Sequence, residues 1–501
     1  MGAADSSSGL PPERPASGWH RLLREPRRPA AIAANRNAHW LVLGAVCVGA
    51  FMSQLDASIV VIALPTLQSY FHSGLGAVEW VALSYLLTLV ALVAAIGRFA
   101  DMVGRKLIYI YGFGIFVVGS GLCAVAPNLL SLDLFRVLQA LGAAMLQANS
   151  VALIVQAMPR EKLGQGIGIQ GAAQALGLCL GPAVGGYLLV LGGWRLIFLV
   201  NVPVGVIGFG LGWFLLPRSR YLAKREPIDW LGLLLFVIAA GGLLLALSLG
   251  DESGWTSPFV LGSLAAALLA GAGFIAWELH SPWPMMRPAI FRKATFSFGI
   301  ASGLLATLAL FGCLFVLAFY LERAGHLDAA GAGLRLLTLP LALGLTAPFA
   351  GAAADRWGAR PLTVGGLLLA TLGLVAIALH PTSGALLLVE LVGIGIGLGI
   401  FIPPNNAAVM GSVERSQFGM AGGILNTARG MGTAMGVALA GLVFGLAAGV
   451  SANHALTAVL ASRGLVAAVL FLAAITAAAA VLSSLRGGGR VNAPLPAQGE
   501  I

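Results

Sequence analysis

Four ionisable side chains stand inside long apolar runs of the sequence: Asp56, Arg136, Glu390 and Arg429. Facing lipid, each would cost a few kcal/mol or more, so each is expected to face a partner or a water-filled space. Burial disfavours a carboxylate's charge and a nearby cation favours it. An Asp56 that is alternately dry and hydrated, beside Arg136, can therefore take up and release a proton. A fixed structural Asp56–Arg136 pair is the alternative, and so is an aspartate bonded to helix backbone. Glu390 is the next carboxylate for proton coupling, and a preference for cationic cargo would rest on Asp56 and Glu390 together.

Arg136, Gln139, Ala143, Gln147 and Ser150 recur at helical spacing and share one face, with Asn149 about one step round. That face is expected to line a substrate cavity, although polar stripes also bind membrane helices to one another. Gln170 and Gln174, Asn405 and Asn406, and Asn426 and Arg429 are further candidates for lining it. Pro403-Pro404, just before the asparagine pair, is predicted to break or kink its helix.

The elements that must position these groups follow from composition. Of 501 residues, 10% are charged and 58% apolar, which excludes an ordinary soluble enzyme. Apolar runs predict fourteen transmembrane helices, at roughly 40–66, 78–97, 107–126, 132–157, 164–191, 196–216, 229–249, 258–278, 295–320, 333–353, 361–380, 384–410, 419–448 and 462–484. Nine of the ten tryptophans fall at or near run ends, as interfacial anchors do. The first run is too long for a signal-peptide core and is expected to remain as a span. Cys47, Cys123, Cys179 and Cys313 form neither a CxxC pair nor a Cys/His cluster, so no disulfide or metal site is expected. The seven histidines are scattered, and no HExxH, GxSxG or phosphate-loop motif is present.

The net charge of +10 is read by position rather than as nucleic-acid binding. With the N-terminus in the cytoplasm, the tails and the loops after even-numbered spans hold 23 of the 29 Lys and Arg residues. Only Arg195, Arg323, Arg335 and Arg463 fall outside, so both termini are expected to be cytoplasmic.

GRFADMVGRK, starting at Gly97, has a counterpart in GAAADRWGAR, starting at Gly351, so that Gly97, Asp101 and Gly104 recur as Gly351, Asp355 and Gly358 at an offset of 254. Gly177 and Gly181 align with Gly432 and Gly436 at 255. Two parallel six-span repeats separated by two extra spans account for both offsets. The expected units are a disordered basic tail (1–38), a six-helix bundle (39–217), two extra spans with their loops (218–294), a second six-helix bundle (295–485) and a short tail (486–501). In the repeated loops, Gly104 and Gly358 permit a sharp turn, each Asp can bond an exposed helix N-terminus, and Arg105 or Arg360 can pair with it. Gly177, Gly181, Gly185 and Gly186, with Pro182, make a small-residue face for close helix approach. Spans 7 and 8 are expected to be peripheral, with no buried ionisable residue.

GRFADMVGRK resembles motif A of the major facilitator superfamily. LDASIVVIALP (55–65), RVLQALGAAM (136–145), GLCLGPAVGG (177–186) and WRLIFLVNVPVG (194–205) are similar to motifs of its fourteen-span drug:proton antiporters. The resemblance covers residues 40–485. Met102 stands where the family usually has Arg, and the second half has no counterpart of Gly181-Pro182. The resemblance implies the major facilitator fold in a bacterial cytoplasmic membrane. It further implies a conformational latch at Gly97, Asp101, Gly104, Arg105, Asp355, Gly358 and Arg360, with Asp101 meeting span 13 near 416–419. An antiporter helix at 177–186 also follows, as does efflux of small amphipathic or lipophilic compounds driven by the proton gradient without a cofactor. A proton-coupled importer or lipid-moving facilitator is the rival. The partners implied are the bilayer, the cargo and the proton; accessory efflux components are left open.

Overall fold

The computed structural model describes residues 25–486 except 27, 34, 36, 74, 220–226, 228, 255, 324–328, 382–383 and 449–457. The tails to residue 24 and from 487, together with Arg220, Lys224 and Arg225 of the charge tally and the side chains of Pro182 and Arg323, lie outside the described residues. All elements described are helical. A backbone within lipid must satisfy its own polar groups, and an apolar run of about 20 residues does so as a helix.

Spans 1 to 6 are Ala38–Phe71, Leu75–Val103, Arg105–Ala124, Leu129–Ala157, Leu163–Gly192 and Arg195–Leu215. Spans 7 and 8 are Trp230–Ser253 and Pro258–His280. Spans 9 to 14 are Ala294–Arg323, Thr338–Trp357, Ala359–Leu379, Ala385–Gly411, Phe418–Ala448 and Ala458–Ser484. Thirteen helices have the length and apolarity of a membrane span, and span 5, bent by 43° at residue 182, makes the fourteenth.

Span 1 packs on span 5 and span 3 on span 4; in the second half span 9 packs on span 13 and span 11 on span 12. Across the molecule, span 5 meets span 10 and span 13 meets span 2. Gly104 (φ 128°) and Gly358 (φ 85°) turn the chain between spans 2 and 3 and between spans 10 and 11, in backbone conformations that L side chains rarely adopt.

Three expectations are corrected. Span 12 runs unbroken through Pro403 and Pro404. The helix does not break, and Gly395 and Gly399 lie against the Leu339 and Leu343 carbonyls of span 10 and Gly397 against the Gly366 carbonyl of span 11, so the turns before the prolines are packed closely by both neighbours. Spans 7 and 8 stay outside the two bundles, span 7 on spans 2 and 13 and span 8 beyond it, and what is corrected there is the expected absence of a buried ionisable residue. Span 8 buries an acid, Glu278 (5% exposed), which accepts from the Met285 and Met286 amides at 2.9 and 3.0 Å; a chain reversal just past the helix end supplies those donors. Finally, the tail is not featureless: Glu25 accepts from the Ser219 amide and hydroxyl, and Lys106 donates to the Pro26, Trp213 and Leu216 carbonyls.

Candidate functional site

Span 1 places Asp56 eighteen residues from its start, about 27 Å along a helix that rises 1.5 Å per residue. The carboxylate is fully buried. Arg136 of span 4 pairs with it at 2.7 Å, Gln139 one turn later donates to it at 2.9 Å, and Asn201 of span 6 donates at 2.7 Å. Gln139 and Asn201 are both tied to the Ser120 hydroxyl of span 3, at 3.0 and 3.2 Å. Arg136 also donates to the Val81 carbonyl at 3.0 Å, and its guanidinium lies 4.1 Å from the centre of the Tyr85 ring.

Five of the first six spans thus converge on one carboxylate. Arg136 and Gln139 were expected to line a cavity. Instead they close over Asp56, because each has a buried partner within its own half, and water reaches none of them in this conformation. Asn201 and Ser120 were not singled out in the sequence. The only signal for Asn201 was a lone amide in WRLIFLVNVPVG, and Ser120 carried none.

Further along span 4 the side chains turn to other partners. Asn149 is fully buried and donates to the Met145 carbonyl of its own helix, with no partner for its Oδ1 among the described residues. Ser150 accepts from Gln170 at 2.9 Å, joining spans 4 and 5. Asn426 of span 13 donates to the Gln147 carbonyl at 2.8 Å, and Arg429 donates to Gln174 of span 5 at 3.1 Å and to Asn426 at 3.2 Å. Gln147, Gln174, Asn426 and Arg429 therefore meet between the halves.

Asn405 and Glu390 do not join them. Asn405 donates to the Gly299 carbonyl of span 9 and accepts from Arg486, which also bonds Ser302. Arg486, assigned by sequence to a tail, is buried, and burial lowers its guanidinium to about 10. Asn406 is buried on span 12. Glu390 lies six residues into span 12, buried toward span 11, with no partner for its Oε2 among the described residues. With Asp56 neutralised by Arg136 and Glu390 set apart, the two acids do not form a common cation site.

At the face carrying both termini the halves are joined twice. Asp101, at the end of span 2, accepts from the Gly419 and Met420 amides of span 13, both at 2.8 Å. Asp355, at the end of span 10, accepts from the Gly164 and Gln165 amides of span 5 at 2.9 and 3.2 Å. Both carboxylates bond the second and third residues of the opposing helix, where unpaired N–H groups and the helix dipole favour an anion. A Cβ on Gly97 would strike the Gly419 carbonyl, and one on Gly351 the Gly164 carbonyl. Arg105 pairs with Asp101 at 2.6 Å and donates to the Arg415 carbonyl at 2.5 Å. Arg360 is exposed and forms no ion pair with Asp355 among the described residues.

The glycine face of span 5 meets span 1. A Cβ on Gly177, Gly181 or Gly185 would collide with Phe51, Ser58 or Ile59 respectively, whereas Gly186 points into open space and takes no part. Gly432 and Gly436 repeat the contact between spans 13 and 9.

Two pseudo-repeated bundles, latched at one face and enclosing a polar seam, define a polytopic membrane transporter. The chain belongs to the Major Facilitator Superfamily, whose family model matches residues 46–327 and 301–497. It is 34% identical to the riboflavin transporter RibZ of Clostridioides difficile, over 80% of this chain and 87% of that one. Identity to the multidrug resistance protein Stp of Mycobacterium tuberculosis is also 34%, over 82% and 77%, and to the methylenomycin A resistance protein of Bacillus subtilis 31%, over 81% and 88%. The fold matches the proton:xylose symporter XylE with a TM-score of 0.61 at 14% identity, covering 89% of this chain and 95% of that one.

Proposed function

We propose that this transporter exports small amphipathic or lipophilic compounds across a bacterial cytoplasmic membrane in exchange for protons, with its terminal face in the cytoplasm. The observation that carries the coupling is the Asp56 carboxylate, a fully buried acid whose charge is matched by one cation. Protonating Asp56 removes the charge that holds Arg136, and the Val81 carbonyl and Tyr85 ring give the guanidinium another place to rest. Span 5 links this event to the latch. Its glycine face lies against residues 51–59 of span 1, and its N-terminus is held by Asp355. A shift of span 1 on span 5 is thereby transmitted to the seam between the halves.

Relatives named for multidrug and antibiotic resistance support the outward direction, and the basic residues gathered at the terminal face support its orientation. The energetics suit it as well, since one charge crossing 100 mV is worth about 2.3 kcal/mol. The bilayer, the cargo and the proton are the partners, and the proton gradient replaces a bound cofactor.

Transport into everted vesicles under an imposed pH gradient tests the reading. Wild type should accumulate lipophilic cargo with proton counterflow. Asp56→Asn should still bind cargo but lose gradient-driven accumulation, and Arg136→Ala should also uncouple. Accumulation by Asp56→Asn with proton counterflow would sink the assignment and make Glu390 the next carboxylate to test. Movement of cargo in the opposite direction would favour the importer.

A further inference from the structure

Besides Glu390 near the start of span 12, the charged side chains inside the two bundles among the described residues include Asp56, Arg136 and Arg429. Asp56 and Arg136 cancel at 2.7 Å and are sealed in the first half. Arg429 is left over. It lies eleven residues into span 13, about 16 Å from that helix's start. Among the described residues its hydrogen-bond partners are neutral amides, Gln174 at 3.1 Å and Asn426 at 3.2 Å, and both bonds use the same nitrogen, Nη1.

Arg429 is half-buried, and none of its nitrogens is both sealed from solvent and unbonded. The rest of the guanidinium therefore opens onto accessible space. Beneath it the halves are closed, through Asn426 on the Gln147 carbonyl and then the Gly419–Asp101 latch. The Gln147 side-chain amide, near the same seam, is likewise not sealed without a partner. A partly buried guanidinium at the seam between the halves, with amide oxygens as its partners and no counter-ion among the described residues, has the chemistry of a carboxylate receptor.

We infer that Arg429, oriented by Gln174 and Asn426 and with the Gln147 amide near it, binds an acidic oxygen of the cargo, and that the cargo class is an amphipathic monoanion with an apolar body. This rests on the transport reading above and deepens it. The weak case for cationic cargo came from Asp56 and Glu390, and neither offers a free charge to the seam.

Binding to the purified full-length protein in detergent tests the inference with three probes on one skeleton: pyrenebutyrate, its primary amide and pyrenebutylamine, followed by pyrene fluorescence. Wild type should bind the carboxylate about tenfold or more tighter than the amide, with the amine weakest. In Arg429→Gln the carboxylate-to-amide ratio should fall to about one, whatever happens to the common affinity, while Arg429→Lys should keep part of the preference. Asn426→Asp supplies an internal carboxylate for Arg429 and should lower the same ratio, which keeps the test open should Arg429→Gln fail to fold. A wild type that prefers the amine, or a ratio unchanged in both Arg429→Gln and Asn426→Asp, would overturn the inference. Loss of gradient-driven accumulation for all three probes, with the binding preference intact, would instead count against the transport reading.

Discussion

The two latches have the same geometry and different chemistry. Asp101 and Asp355 bond the same two positions of an opposing helix N-terminus, and in each case two glycines bring the backbones together. Among the described residues, only the first is paired with a cation. Arg105 sits one turn beyond Asp101, is buried with it, reaches on to the Arg415 carbonyl and lies 5.6 Å from the Phe418 ring centre. The corresponding position after Asp355 is Ala359, and the nearby charge that acts on Asp355 is another acid, Glu161. Helix ends and glycines therefore suffice to build the closure. The ion pair adds strength on one side, so the seam at spans 2 and 13 should be harder to open than the seam at spans 5 and 10.

Five substitutions can break or sharpen that difference, each read by distance measurements between spin labels at the terminal ends of the two halves. Asp101→Asn should have the largest effect, because it strands Arg105 in a buried site, a situation that costs about 3–5 kcal/mol in comparable pairs. The closed population should collapse and transport with it. If Asp101→Asn and Asp355→Asn shift the distances equally, the asymmetry is wrong.

Next come Gly97→Ala and Gly351→Ala. A Cβ facing a backbone carbonyl forces the helices apart at a cost of about 1–3 kcal/mol, and because the two glycine pairs match, the two variants should lose closure to the same degree. Asp355→Asn should follow, with a loss of about 1 kcal/mol from the charge at the helix N-terminus. The smallest effect is a gain. Ala359→Arg offers a partner to a half-exposed carboxylate from a buried position, so its ion-pair gain of about 0.5 kcal/mol, which added salt reduces, is read as the salt-dependent part of closure, apart from the cost of packing the larger side chain. No salt-dependent shift in that variant would mean that the ion pair contributes nothing to either latch.

How much of this was legible in the sequence depended on the range of the interaction. The fourteen spans could be read because the cost of exposing polar groups to lipid acts on each apolar run by itself. The two loops at Asp101 and Asp355 were legible because a repeated pattern at one offset is visible without knowing what it touches. Arg136 was named as a partner for Asp56 because opposite charges buried in apolar runs have few other options. Asn405 meets Gly299 and Arg486 rather than the polar seam, since a polar residue in a span signals a partner but not its direction.

The sequence by itself determined the number of membrane-spanning helices, the pseudo-repeat, and the small set of charges that cannot face lipid. Tertiary structure decided which groups meet. Asn201 completes the Asp56 site from 145 residues away, and Asp101 finds the Gly419 amide across 318. Span 12 stays whole through two prolines, packed closely by spans 10 and 11. Arg429 has no counter-ion among the described residues because Asp56 is already taken and Glu390 is buried elsewhere, on span 12 beside span 11. Hydrophobic patterning is local and sums along the chain, whereas the pairing of buried charges depends on which helix faces which, and that is settled only when the bundles pack.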